Sequence, residues 1–406
     1  MKLSKFLLFL CLLWGHSIGF GQDISNKGTD FWLGYGYHQS MTTGNTQDMV
    51  LYFTSDKDAV VTVSIPKLAG NYLKTYNIKA NKVTISDTIP KSGVTDARNN
   101  VIGLSDKGIH VTSTVPVVAY AHIYNQSVSG ASLLFPTNTL GKDYYSINFT
   151  QSGNFANANS FFFVVATEDN TTVEITPADS NLNALPIGLP FKITLNQGQI
   201  YTVMGTTRTA AVNGTFLGSD LTGSRIKTVS SNGSEGCKKI AVFSGSGRLS
   251  IGGTANLTSD NLFAQAFPSV AWGKKYLTAP TGSQPNNFYR VCVTDPTTVV
   301  KLNGTIIPKA QLVNGFYYQF KNGNAGGSNP PIPNIIESDI PILVAQYCTS
   351  QGQEGNSGLT PFGDPEMIFL SPIEQTINNI TLYSASKFLI LVMYNIVQLK
   401  WEYQIL

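Results

Sequence analysis

Apolar and polar residues alternate with a period of two along most of this 406-residue chain, the pattern of strands with one face buried. Val60 to Ile65 and Thr171 to Ile175 show it plainly. Continuous apolar runs such as Phe161 to Ala166 and Ile240 to Phe243 predict strands buried on both faces. Paired runs separated by short Asp, Asn or Pro turns predict β-hairpins. One runs from Met49 to Thr54, through Ser55-Asp56-Lys57-Asp58, into Val60 to Ile65. A second joins Phe161 to Ala166, through Thr167-Glu168-Asp169-Asn170, to Thr171 to Ile175. The third joins Phe288 to Val293, through Thr294-Asp295-Pro296, to Thr297 to Leu302. A single short helix is predicted over Ser259–Phe267, with Ser259 as N-cap and Asp260 in its first turn, lying over a sheet edge.

The three hairpins belong to a repeat. Gly28-Thr29-Asp30-Phe31 opens the first copy, Gly141-Lys142-Asp143-Tyr144 the second, and Gly273-Lys274-Lys275-Tyr276 the third. Phe135-Pro136 and Phe267-Pro268 precede the last two at the same spacing. Each copy closes on a polar break and a buried run: Pro116 then Val117 to Tyr120, Cys237 then Ile240 to Phe243, Pro341 then Ile342 to Ala345. The predicted fold is therefore all-β. It consists of tandem antiparallel β-sandwich-like modules with internal repeats and few short helices, or of one larger closed β assembly with the same pseudo-symmetry. The expected modules are 22–135, 136–267 and 268–371. Ser371-Pro372 starts a fourth over 372–406, whose last stretch lacks the Gly/Thr texture seen upstream and reads as a truncated or frame-shifted end.

Composition narrows the function classes. Charged residues are 13% of the chain, and a net charge of +3 without any Lys/Arg cluster argues against nucleic acid and anionic membranes as partners. Lys2 and Lys5, the apolar run Phe6 to Trp14 and Gly19-Phe20-Gly21 predict a signal peptide at 1–21. Cys11 lacks the small residue that a lipid-anchor signal wants before its cysteine. No other stretch is long and apolar enough to span a bilayer, so no membrane insertion is expected. The chain is expected to be secreted or held at the cell surface. Cys237, Cys292 and Cys348 remain, an odd number without Cys-x-x-Cys spacing, and read as buried, ordinary thiols.

Reactive constellations are scarce. There is no Gly-x-Ser-x-Gly elbow, no His-Glu-x-x-His and no phosphate-binding glycine loop. His110 and His122 flank a buried strand and could join His38 at a metal, but hydrogen-bonded histidines are the stronger reading. Asp56, Asp58, Glu168, Asp169 and Asp295 recur in the hairpin turns, and Asp364-Pro365-Glu366 forms a further acidic turn, all of which suits turn chemistry. Calcium is a side expectation, since it needs six to eight oxygens; no other cofactor is expected. A carbohydrate-active enzyme with paired carboxylates is the remote alternative.

Aromatics are the expected binding currency. Phe31, Trp32, Tyr35 and Tyr37 crowd the start, and Phe316, Tyr317, Tyr318 and Phe320 crowd a late strand. Alternation points half of each set outward, so Trp32, Tyr35, Tyr37, Tyr317 and Tyr318 are the candidate contact residues. Packing of module on module is the competing reading.

The order of several motifs resembles the IgGFc-binding protein N-terminal domain family, including its secreted members in the Bacteroidota. The residues that carry the likeness are Gly28 to Trp32, Lys239 to Gly245, Trp272 to Tyr276, Gly363 to Met367 and Pro372 to Gln375, spanning roughly Gly28 to Phe388. The resemblance implies an extracellular β-rich interaction module and supplies no catalytic residue. The expected function is thus a non-catalytic adhesion or binding protein for an extracellular protein or glycan. A self-associating component of a surface layer or matrix is the alternative.

Overall fold

In the computed structural model, which describes residues 25–208, 214–230, 236–252, 258–281, 286–323, 331–350 and 364–375, the period-two runs are strands and every pairing is antiparallel. The first unit contains β1 (Gly28–Leu33), β2 (Asp48–Thr54), β3 (Ala59–Ile65), β4 (Tyr72–Ile78), β5 (Thr84–Ile85), β6 (Gly103–Ser105), β7 (Ile109–Tyr124) and β8 (Ser129–Leu133). The second contains β9 (Asp143–Tyr145), β10 (Ser152–Gly153), β11 (Ser160–Ala166), β12 (Thr171–Thr176) and β13 (Phe191–Leu195). It continues with β14 (Ile200–Met204), β15 (Phe216–Leu217), β16 (Arg225–Thr228), β17 (Ile240–Leu249) and β18 (Asp260–Gln265). The third contains β19 (Gly273–Thr278), β20 (Asn287–Val293), β21 (Val300–Leu302), β22 (Thr305–Ile306), β23 (Tyr317–Asn322), β24 (Asn334–Cys348) and β25 (Glu366–Phe369).

One pairing scheme recurs three times. In the first and third units one long closing strand, β7 or β24, pairs in two parts; in the second the two parts are separate strands, β16 and β17. The first part pairs with the opening strand and the strand after the acidic turn: β7 with β1 and β3, β16 with β9 and β12, β24 with β19 and β21. The second part pairs with the strand before the acidic turn and an edge strand: β7 with β2 and β8, β17 with β11 and β18, β24 with β20 and β25. Pro116 and Pro341 stand where β7 and β24 pass from one sheet to the other, a place where a missing N–H is tolerated. Between the two sheets of the first unit lie Leu51, Phe53, Val61, Val63 and Ala119; Phe162, Val164, Val173 and Val242 fill the second, and Tyr289, Val291, Val300 and Val344 the third.

The repeated glycine and proline meet at the joints between units. A Cβ on Gly28 would lie inside van der Waals contact of Pro136, one on Gly141 of Pro268, and one on Gly273 of Pro372. After each proline comes one 3₁₀ turn, Thr137–Thr139, Ser269–Ala271 and Ile373–Gln375. The lead-in of a unit therefore caps the unit before it. Tyr144 and Tyr276 complete the joint, since each hydroxyl accepts from the glycine N–H (2.7 and 3.1 Å) and donates to the carbonyl of Ile240 (2.9 Å) or Ile342 (2.5 Å).

Three expectations are corrected. None of the three acidic turns closes a β-hairpin: the strands on either side pair with different parts of the closing strand and not with each other, so each turn carries the chain from one sheet into the other. No helix forms over 259–267: Asp260–Gln265 is β18, paired with β17 and bonded to the first unit through Gln265 N–H to Ser132 Oγ (2.8 Å). Leu262 and Phe263 are both buried on opposite sides of that strand, and tertiary packing overrides the local helix signal. Cys237 is exposed rather than buried; all three cysteines are free, and burial raises the thiols of Cys292 to about 12 and Cys348 to about 11. The expected signal peptide and most of 372–406 lie outside the described residues.

Candidate interaction face

The five aromatics proposed as contact residues are all interior. Trp32, Tyr35, Tyr37, Tyr317 and Tyr318 are between 0 and 6% exposed. Trp32 stacks on His110 (4.1 Å), whose Nε2 lies 2.7 Å from Asp30. The register-equivalent cassette in the second unit is Tyr145 beneath Arg225, which is paired with Asp143. Tyr35 donates to the Val50 carbonyl (2.7 Å) and Tyr37 to that of Asn157 (2.8 Å). Tyr317 lies under the Arg290 guanidinium, 4.3 Å from ring centre to Cζ, and Tyr318 fills the third unit's core. Tyr318 faces its own unit's core, whereas Trp32, Tyr35, Tyr37 and Tyr317 are covered by the neighbouring unit.

That covering follows a rule. The side of the β11/β17 pair facing away from its own core carries Phe161, Phe163, Val165, Ala241 and Phe243, and these join the first unit's cluster. Gly34 and Gly36 of the first unit lie against it. A Cβ on Gly34 would be 2.6 Å from Ile200 and 3.1 Å from the Phe163 ring, and one on Gly36 would overlap Phe161 and Phe263. The matching side of the β20/β24 pair seats on residues 148–150 of the second unit. Arg290 donates to the Asn148 carbonyl (3.0 Å) and to Thr150 Oγ1 (3.1 Å), and Phe149 packs on Tyr347 (4.8 Å) and Phe288 (5.8 Å). In both cases a unit lays this sheet side on the segment that follows its predecessor's opening strand.

The first unit has no predecessor among the described residues. Its equivalent side crosses four strands, with Ile85, Tyr52, Tyr120 and Leu133 in one row of cross-strand partners and Val50, His122 and Ala131 in the next. Ile85 is 57% exposed, while Tyr52, Tyr120, His122, Tyr124 and Leu133 are half-buried. The Tyr52 hydroxyl lies 3.1 Å from His122 Nδ1, and His122 Nε2 lies 2.8 Å from Ser129 Oγ. His122 also stacks on Tyr124 (4.5 Å), and burial lowers its pKa. The result is a sheet side of rings with polar edges, held in place by its own hydrogen bonds.

The family profile described as IgGFc binding protein matches residues 130–400. This chain belongs to that family. No curated protein and no solved structure matches it. The match in this IgGFc-binding family member covers the second and third units and begins well after Gly28, where the motif order had placed the start. The open side of β5, β2, β7 and β8 thus lies almost wholly ahead of the matched region.

Among the described residues the three candidate histidines are not brought together. His38 accepts from Ser40 N–H (3.1 Å) and lies 3.4 Å from the Val128 carbonyl; burial takes its pKa down to about 4. Each of the three histidines has separate partners, and among the described residues no three His, Cys, Asp or Glu side chains are placed to hold a metal ion. The turn acids accept from backbone N–H groups: Asp295 from Thr297 in its own turn (2.7 Å), but Asp58 from Ala80 (2.9 Å) and Asp169 from Gln197 (3.0 Å), each in a neighbouring turn. No helix among the described residues is long and apolar enough to cross a membrane.

The acidic turn at 364–366 meets β18 instead. Burial pushes Asp260 up to about 7 against the N–H donors of Ser129 and Asn261, and pushes Glu366 to about 7, with Asp260 adding repulsion. Such groups favour folding most below their ordinary carboxylate range, and that contribution is lost as pH rises through about 7. Asp220 and Asp30 are held low by their partners, so their contribution is complete above about pH 4. The urea midpoint should therefore rise from pH 8 to pH 5 and fall again below pH 4. A midpoint flat over that range would show that these carboxyls are solvated.

The sequence held a signal for this face. Phe163 and Phe243 of the second unit align by register with Tyr52 and Tyr120 of the first. A hydroxyl added at two repeat-equivalent rings marks the side that stays wet.

Proposed function

We propose that this chain is an extracellular, non-catalytic protein-binding protein, and that it holds its partner on the open side of β5, β2, β7 and β8. The observation that carries this reading is that Tyr52, Tyr120, His122 and Tyr124 occupy the one repeat-equivalent sheet side with no unit stacked on it among the described residues. Tyrosine supplies a large, rigid contact area at small entropic cost and keeps a polar edge for the unbound state. Membership of a binding family supports a protein partner.

Head-to-tail joining of copies fits less well. The third unit would have to offer the surface that the second offers through Ile147, Phe149 and Leu262. At the equivalent positions it carries Ala279, Thr281 and Glu366.

The test is binding of the intact chain and of a Tyr52→Ser/Tyr120→Ser variant to immunoglobulin G Fc, a set of other extracellular proteins and a glycan array. A protein should bind, and the variant should bind it at least about tenfold more weakly, the loss of one buried ring contact. The melting temperature should not change. Protein binding indifferent to the substitutions would remove this face from the reading, and binding to glycans alone would remove the protein partner.

A further inference from the structure

The two occupied copies of this sheet side show what kind of chain segment it takes. Each holds the extended stretch after the preceding unit's opening strand, and residues 34–36 of the first unit correspond to 147–149 of the second by count from Gly28 and Gly141. What the segment carries is set by the sheet residues opposite. Phe163 and Ile200 leave room only for Gly34, and the Phe161 and Phe263 rings leave room only for Gly36. On the third unit the row equivalent to Phe161, Gly245 and Phe263 is Phe288, Tyr347 and Met367, and there the segment presents Phe149, packed at a tilt against Tyr347 (4.8 Å).

The open side of the first unit combines the two. Tyr52 stands at the Phe163 position, so a ring again fills the space that faces the first segment residue. In the next row Val50 and Ala131 replace Phe161 and Phe263, two small side chains in place of two rings. His122, at the Tyr347 position, puts an aromatic ring beside the space so opened. The first position therefore requires a residue without a side chain, and the position two further on accepts an aromatic ring lying on His122.

We propose that the partner presents an extended Gly-x-aromatic segment to this face, the glycine over Tyr52 and the ring on His122. This rests on the reading of the same face as the binding surface. It names the partner by chemistry: an extended peptide segment of a protein, held by packing against a sheet side.

The experiment is panning of a random linear peptide library on the immobilised chain, on His122→Ala, on Tyr52→Ala and on the Tyr52→Ser/Tyr120→Ser variant, each checked for an unchanged melting curve. On the unaltered chain, enriched peptides should carry Gly two residues before Phe, Tyr or Trp, at least about fivefold over the input library. His122→Ala should abolish the aromatic preference while keeping glycine, and Tyr52→Ala should relax the glycine requirement while keeping the ring. Peptides that are lost on the double variant but lack this spacing would overturn the segment and leave the face standing. Enrichment that the double variant does not alter would overturn both, and so would the absence of any enriched peptide.

Discussion

Replacing Arg290 by Ala will cost about 3–5 kcal/mol of stability, the usual penalty for leaving one charge of a buried pair unpaired. Arg290 and Asp220 lie 2.7 Å apart across the joint between the second and third units, and the arginine side chain is fully buried. Burial alone would raise Asp220, but the charge and hydrogen bonds of Arg290, with Thr222, hold it below its ordinary value. The guanidinium also lies over Phe149 (4.6 Å) and Tyr317 (4.3 Å) and bonds Thr222 Oγ1 (2.7 Å). Urea denaturation should show the loss directly, and limited proteolysis should cut the third unit away from the rest. Arg290→Met combined with Asp220→Leu should recover much of it, since a well-packed apolar pair can match a buried ion pair. A single variant as stable as the unaltered chain would mean that water reaches this joint.

Gly141→Ala will cost about 1–3 kcal/mol, because a methyl there has nowhere to go. Its Cβ would fall inside contact of both Cβ and, at 3.1 Å, Cγ of Pro268, a ring that cannot rotate aside. The same substitution at Gly28 or Gly273 should behave alike, against Pro136 and Pro372. In a double-mutant cycle, Pro268→Gly should be less harmful in the Gly141→Ala background than alone, since it removes the atoms the methyl strikes. Additive losses would show that glycine is needed there for its backbone alone.

The repeated unit was legible at the level of single strands. The strands around Asp56, Glu168 and Asp295, the doubly buried Phe161 to Ala166 and the glycine-led openings all lie where the period and the turn residues put them. The strands either side of each turn do not pair with each other, however, because each turn leads from one sheet into the other. The aromatic candidates were not legible in the same way. Trp32 and Tyr317 do occupy strands or their flanks, yet both their sides face protein. Period two tells which residues share a side and says nothing of what lies against that side. The short helix expected over 259–267 failed for a related reason. Its capping signal is local, whereas the pairing of Phe243 with Gln265 and of Gly245 with Phe263 is not.

What the sequence determined by itself was the all-β class, the threefold strand order and the recurring glycine and proline positions, because alternation, turn chemistry and motif spacing act over a few residues. Only the tertiary structure decided which sheet side remains open and that Arg290 and Asp220 meet. Those outcomes depend on how one unit stacks on the next, where side chains 70 or more residues apart compete for the same space.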